Sequence, residues 1–132
     1  MAALRRVEVM PEKARPVLVV EDDPALGRVI ELVLRDAGYM VVSANDGQEA
    51  LDKIDQQRPG VVLLDMKMPV MDGWEFASEL RARHGRAVPV IMVTAAWDSQ
   101  QRAQEIGADD YLDKPFDIND LVRVVEQHYV GQ

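Results

Sequence analysis

Four stretches of this chain place chemically capable side chains directly after apolar runs. Glu21-Asp22-Asp23 follows Val17-Leu18-Val19-Val20, and Asp65 follows Val61-Val62-Leu63-Leu64. Thr94 follows Val90-Ile91-Met92-Val93, and Lys114-Pro115 follows a shorter run around Asp110–Leu112. Two carboxylates about 4 Å apart repel by about 4 kcal/mol at an effective dielectric near 20. Glu21, Asp22 and Asp65 gathered at one place therefore need a proton or a cation. A hard divalent ion suits such oxygen donors, and Mg²⁺ uses one or two carboxylates, phosphate oxygens and several waters. Asp65 then qualifies as a nucleophile that forms an aspartyl phosphate. Lys114 offers a compact ammonium and Thr94 a hydroxyl that can donate to a phosphoryl oxygen. Phosphoryl transfer demands this positioning and charge neutralisation above all.

Each feature alone has a plainer reading. An acidic triplet after a strand is a solvated loop with a helix cap, an Asp there is a turn residue, and Lys-Pro is a common loop. The weight lies in four strand ends carrying mutually complementary groups in register.

The surrounding pattern explains how those ends could meet. From Pro16 the chain alternates strand and helix five times. The fully apolar runs suit strands covered on both faces of a parallel sheet. The first helix opens with Asp23 as cap and Pro24 at its first position. It places Leu26, Val29, Ile30, Val33, Leu34 and Ala37 on one face, and Gly38 ends it. Strand 2 is expected at Met40–Ser43, followed by a helix opened by Asp46 with capping-box spacing to Glu49. Asp72 opens the third helix, which buries Phe76 and Leu80. The fourth helix, capped between Asp98 and Gln101, has only Ala103 and Ile106 as an apolar face. Asp117 caps the fifth, with Ile118, Leu121, Val122 and Val125 inward. Such alternation implies an α/β fold with a doubly wound parallel sheet, whose ligands bind outside the carboxyl ends of the strands.

The 132 residues suffice for one domain with its own core. Residues 1–15 read as a flexible leader and 16–132 as the domain; a short strand through Val7–Met10 is the alternative for the leader. The chain carries −8 overall. Arg5, Arg6, Lys13 and Arg15 against Glu8 and Glu12 give the leader +2, which leaves −10 on the domain. So acidic a body disfavours nucleic acid and anionic lipid. No apolar run approaches the length of a membrane span, and the N-terminus lacks a secretory h-region. Absence of cysteine removes disulfides and thiolate sites and is compatible with a reducing cytoplasm, the expected location.

Val19-Val20-Glu21-Asp22-Asp23, the stretch from Leu63-Leu64-Asp65 through Met71-Asp72-Gly73, Val93-Thr94-Ala95 and Tyr111-Leu112-Asp113-Lys114-Pro115-Phe116 resemble the receiver domain of two-component response regulators. Gly107-Ala108-Asp109-Asp110-Tyr111 resembles the family's stretch before its lysine. The match runs from about Pro16 to Tyr129. The resemblance implies a flavodoxin-like (βα)5 fold with five strands in the order 2-1-3-4-5. It implies that Asp65 accepts a phosphoryl group from a histidine kinase or phosphotransfer protein, with Mg²⁺. Asp22 and Asp65 resemble the direct metal carboxylates, Glu21 acts largely through water, and the backbone carbonyl of Lys67 resembles a further ligand. Thr94 and Tyr111 resemble the switch pair, and the Lys114-Pro115 bond resembles the family's cis bond. The expected partner surface, for an effector or a second receiver, is the fourth helix, fifth strand and fifth helix. Lys67 and Ala96 stand where the family tunes phosphoryl lifetime. The implied role is a signalling switch rather than an enzyme, either as a stand-alone receiver or as part of a longer protein.

Three rivals remain to be weighed. A flavin module on the same winding needs a Ser/Thr/Gly-rich phosphate loop after strand 1, where this chain has three acids. An Asp-nucleophile phosphatase needs a second Asp two residues later, where this chain has Lys67. A phosphorylation-independent scaffold would not need the complete acidic, Thr and Lys set.

Overall fold

The computed structural model describes residues 15–66, 71–95 and 99–131. Five strands, β1 (Val17–Val20), β2 (Val41–Ala44), β3 (Val61–Asp65), β4 (Val90–Thr94) and β5 (Asp110–Asp113), form one parallel sheet in the order β2-β1-β3-β4-β5. Five helices alternate with them: α1 (Pro24–Asp36), α2 (Gly47–Gln56), α3 (Gly73–His84), α4 (Ser99–Ile106) and α5 (Ile118–His128). The expected winding and strand order are therefore present.

Side chains alternate across each strand, and both sides of this sheet are covered. Leu18, Val20, Val62, Leu64, Val90 and Met92 pack with Leu51, Ile54, Phe76 and Leu80 on the side of α2, α3 and α4. Val17, Val19, Val61, Leu63, Ile91 and Val93 pack with Ile30, Leu34, Leu121 and Val125 of α1 and α5. That double cover is why β1, β3 and β4 read as unbroken apolar runs.

Caps set the helix starts. Asp23 accepts from Ala25 N and Leu26 N, at 3.0 and 3.3 Å. Asp72 and Glu75 form a reciprocal capping box at α3. At α2 the box is incomplete: Asp46 accepts from Glu49 N at 2.8 Å, but the Glu49 carboxylate takes Asn45 N instead. β2 lies at an edge, and its Val41 and Ser43 carbonyls accept from Arg35 and Lys53 side chains, which blunts that edge.

Several expectations shift. Strand 2 is Val41–Ala44 rather than Met40–Ser43, and Met40 is exposed. Val29 was expected on the inner face of α1 and Ile118 on that of α5, yet both are exposed, at 48% and 52%. The cover reaches only part of each apolar stripe. On α5 Val124 is buried where Val122 was expected, and Val122 is only partly covered. α1 stops at Asp36 with Ala37 as its C-cap, and Gly38 turns the chain with φ 99°. Residues 1–14 of the leader, including the alternative strand at Val7–Met10, and the Asp98 cap lie outside the described residues. No helix among the described residues is long and apolar enough to cross a membrane.

Candidate functional site

The parallel strands bring β1, β3, β4 and β5 to a common rim at their carboxyl ends. β1 and β3 are direct neighbours, with Val20 opposite Leu64, so Glu21 and Asp65 emerge side by side. β4 follows, with Asp65 opposite Val93, which sets Thr94 one step beyond. Lys114 N donates to the Thr94 carbonyl at 2.9 Å and so extends the β4–β5 pairing to the lysine itself.

Glu21, Asp65 and Thr94 are the buried polar residues among those described. Burying a charge or a hydroxyl is costly unless it is paired, so two carboxylates and a hydroxyl buried at one rim mark a site built for something other than packing. Glu21, Asp22 and Asp65 each offer a carboxylate oxygen within 4.8 Å of the others, Asp22 from an exposed position. Lys114 Nζ lies 3.3 Å from Glu21 Oε1 and 3.5 Å from Asp65 Oδ1. One ammonium thus faces two of the three acids.

The imbalance is visible in Glu21, whose pKa rises from its ordinary 4.5 to about 7. Burial is the largest cause, followed by a hydrogen bond with Asp65 and the Asp65 charge. The Asp23 N–H, 3.3 Å from Glu21 Oε2, and Lys114 oppose the rise without cancelling it. Such a cluster has capacity for one more positive charge. Its donors are all carboxylate oxygens, with no thiolate or imidazole among them, and that chemistry fits a hard divalent cation such as Mg²⁺.

Asp23, by contrast, spends its side chain on the α1 cap, as expected from its place before Pro24. Tyr111 is half-buried against the α2–α4 side of the sheet. The Lys114-Pro115 bond is cis. Lys67, Met68, Ala96 and Trp97 lie outside the described residues. His84 and His128, given no role in the sequence, pair with Asp55 and Asp110 respectively.

Two relationships escaped the sequence. Glu21 contacts Lys114 directly, and no local pattern links residues so far apart. The first turn of α3 rests on the residue after Asp65: a Cβ on Gly73 would fall 2.4 Å from Met66 Sδ. The nearest sequence signal was the Asp-Gly pair opening α3, which reads equally well as a turn.

The family model of the response regulator receiver domain matches residues 17–126, which span every strand and all of this rim. The chain belongs to that family. This receiver domain is 40% identical over 119 residues to a probable transcriptional regulator ycf27 of Guillardia theta, covering 89% of this chain and 46% of that protein. It is 42% identical over 107 residues to the ycf27 protein of Porphyridium aerugineum, covering 80% and 44%. The receiver thus spans about half the length of the curated relatives it matches. Among solved structures it resembles chemotaxis protein CheY4 of Vibrio cholerae, with a TM-score of 0.79, 33% identity and coverage of 86% of this chain and 98% of that one. It also resembles the receiver domain of sensor histidine kinase PA1611 from Pseudomonas aeruginosa, with a TM-score of 0.79, 37% identity and coverage of 86% and 96%. That structure carries a magnesium ion coordinated in its active-site cleft.

Proposed function

We propose that this receiver takes a phosphoryl group on Asp65 from a histidine kinase or phosphotransfer protein, with Mg²⁺, and switches conformation to control a partner. The observation that carries the reading is the buried Asp65 carboxylate with Lys114 Nζ 3.5 Å away, at the rim that also holds Glu21 and Thr94.

An Asp65 carboxylate oxygen attacks the phosphorus. The bond from phosphorus to the donor nitrogen breaks, and its electron pair stays on the imidazole, which takes up a proton. Lys114 holds positive charge beside the incoming phosphoryl oxygens and keeps Asp65 oriented. The Thr94 hydroxyl donates to a phosphoryl oxygen, and Tyr111 follows it as the second half of the switch. Asp22 and Asp65 would hold the metal directly and Glu21 through water, and the Lys67 backbone carbonyl would be a further ligand. Bound Mg²⁺ would supply the second positive centre for the phosphoryl oxygens.

The domain acts as a switch within residues 16–132, with 1–15 as a leader, and works in the cytoplasm. Phosphorylation shifts a two-state equilibrium, and α4, β5 and α5 present the surface an effector or a second receiver reads. The acidic body does not itself bind nucleic acid. Lys67 and Ala96 set the phosphoryl lifetime; an unchanged acyl-phosphate half-life after exchanging both residues would reject that role.

Incubation with Mg²⁺ and acetyl phosphate, followed by intact mass, tests the reading. Wild type gains one phosphoryl group and Asp65→Asn gains none. No gain in wild type would instead favour a phosphorylation-independent scaffold, and an equal gain in both proteins would move the acceptor away from Asp65.

A further inference from the structure

We propose that Trp74 and Arg102 form a latch that holds α4 against α3, and that through it they act as positioning residues for the rim around Asp65. The latch itself stands on geometry; its effect on phosphoryl uptake rests on the reading of Asp65 as phosphoacceptor.

Arg102 of α4 places its guanidinium carbon over the Trp74 ring of α3, 5.6 Å from the centroid. This is within the range in which a cation is attracted to an aromatic face. Trp74 is 41% exposed and belongs to neither apolar core, so packing does not account for its place. α4 needs such a contact. Its buried apolar side chains are Ala103 and Ile106 alone, little cover for a helix. An element held by so little apolar contact opens at low cost, and one lateral contact is then a sizeable share of what retains it.

The other end of the latch reaches the site. Trp74 follows Gly73, where a Cβ would lie 2.4 Å from Met66 Sδ and 3.2 Å from Met66 Cα. Met66 is itself buried and directly follows Asp65. The Asp72–Glu75 capping box fixes the geometry of this same first turn. Close-packed groups of this kind transmit displacement, so a shift at Asp65–Met66 presses on the turn that carries Trp74. The latch favours the α4 position in which Arg102 lies over Trp74, and releasing it raises the population of any other position.

The test uses the full chain with Mg²⁺ and four variants: Arg102→Gln, Trp74→Leu, their double and Arg102→Lys. Hydrogen exchange at the amides of residues 99–106, with no phosphodonor present, reads the latch alone. Either single removal speeds exchange about two- to fivefold, the range of an exposed cation–π contact. Arg102→Lys, which keeps the cation, stays close to wild type, and the double is no faster than the singles. Unchanged exchange in both single variants, or additive gains in the double, overturns the latch. The rate of phosphoryl uptake from acetyl phosphate reads the coupling, and changes by the same factor in both single variants. Faster exchange with unchanged uptake overturns the positioning role. A wild-type chain that takes up no phosphoryl group sinks the proposed function instead, and exchange still decides the latch.

Discussion

The Lys114 ammonium sits 3.3 Å from the Glu21 carboxylate, yet Glu21 still titrates near 7. A neighbouring cation ordinarily holds a carboxyl group below its usual range. Here burial and the adjoining Asp65 outweigh it. The rim is therefore short of positive charge even with its lysine in place.

Stability in chelator depends on pH. Glu21 in the folded chain lies at about 7, above the ordinary 4.5, so the folded state binds the extra proton. Its contribution is full below about 4.5 and is lost as pH rises through about 7. The melting temperature in EDTA should fall between pH 5 and about 7.5, and Glu21→Gln should flatten that slope. A wild-type profile as flat as the variant's would count against the assignment.

Mg²⁺ should raise the melting temperature at neutral pH, because a ligand that selects the native state stabilises it. At about a hundred times its dissociation constant the gain is about 2.7 kcal/mol. Asp65→Asn and Asp22→Asn should each blunt the rise in a calorimetric or fluorescence melt. Equal shifts in all three proteins would place the ion elsewhere.

Lys114→Met keeps much of the apolar stem and removes the charge. Phosphoryl uptake from acetyl phosphate should slow by about 10²-fold, the scale of losing one preorganised electrostatic contact. Glu21 should also become harder to ionise, since one of the influences lowering its pKa is gone. Uptake at the wild-type rate would remove Lys114 from the reaction.

Gly60 separates fold from site. A Cβ there would fall 2.3 Å from Tyr129 Cε1. The Tyr129 ring is fixed edge-on to Tyr39 at 5.1 Å, and its hydroxyl donates to the Arg15 carbonyl at 2.6 Å. Gly60→Ala should cost about 1–3 kcal/mol in denaturant unfolding. A further Tyr129→Leu should add less than its separate cost, because removing the ring relieves the clash that the new Cβ creates. Gly60 precedes β3 whereas Asp65 ends it, so phosphoryl uptake per folded molecule should stay unchanged. A parallel loss of uptake would mean the two ends of the sheet are coupled.

The amino-acid sequence by itself determined the parts of this protein that depend on near neighbours. A strand covered on both faces must be apolar throughout, so β1, β3 and β4 were legible as runs. Helix starts were legible at Asp23, Asp72 and Asp117 because a cap is made by a side chain and the amides two or three residues on. The gathering of Glu21, Asp65 and Thr94 at one rim could be read from residue types at the strand ends. Tertiary structure alone decided what depends on distant cover and contact. Val29 and Ile118 have the right helical phase but no element over them, so they face solvent. The Glu21–Lys114 pair, the Met66 seat beneath Gly73 and the Arg102–Trp74 contact join segments whose separation carries no periodic signal. Charge balance at the rim likewise follows from burial and distance, which come into being only when the sheet closes its ranks of strands side by side.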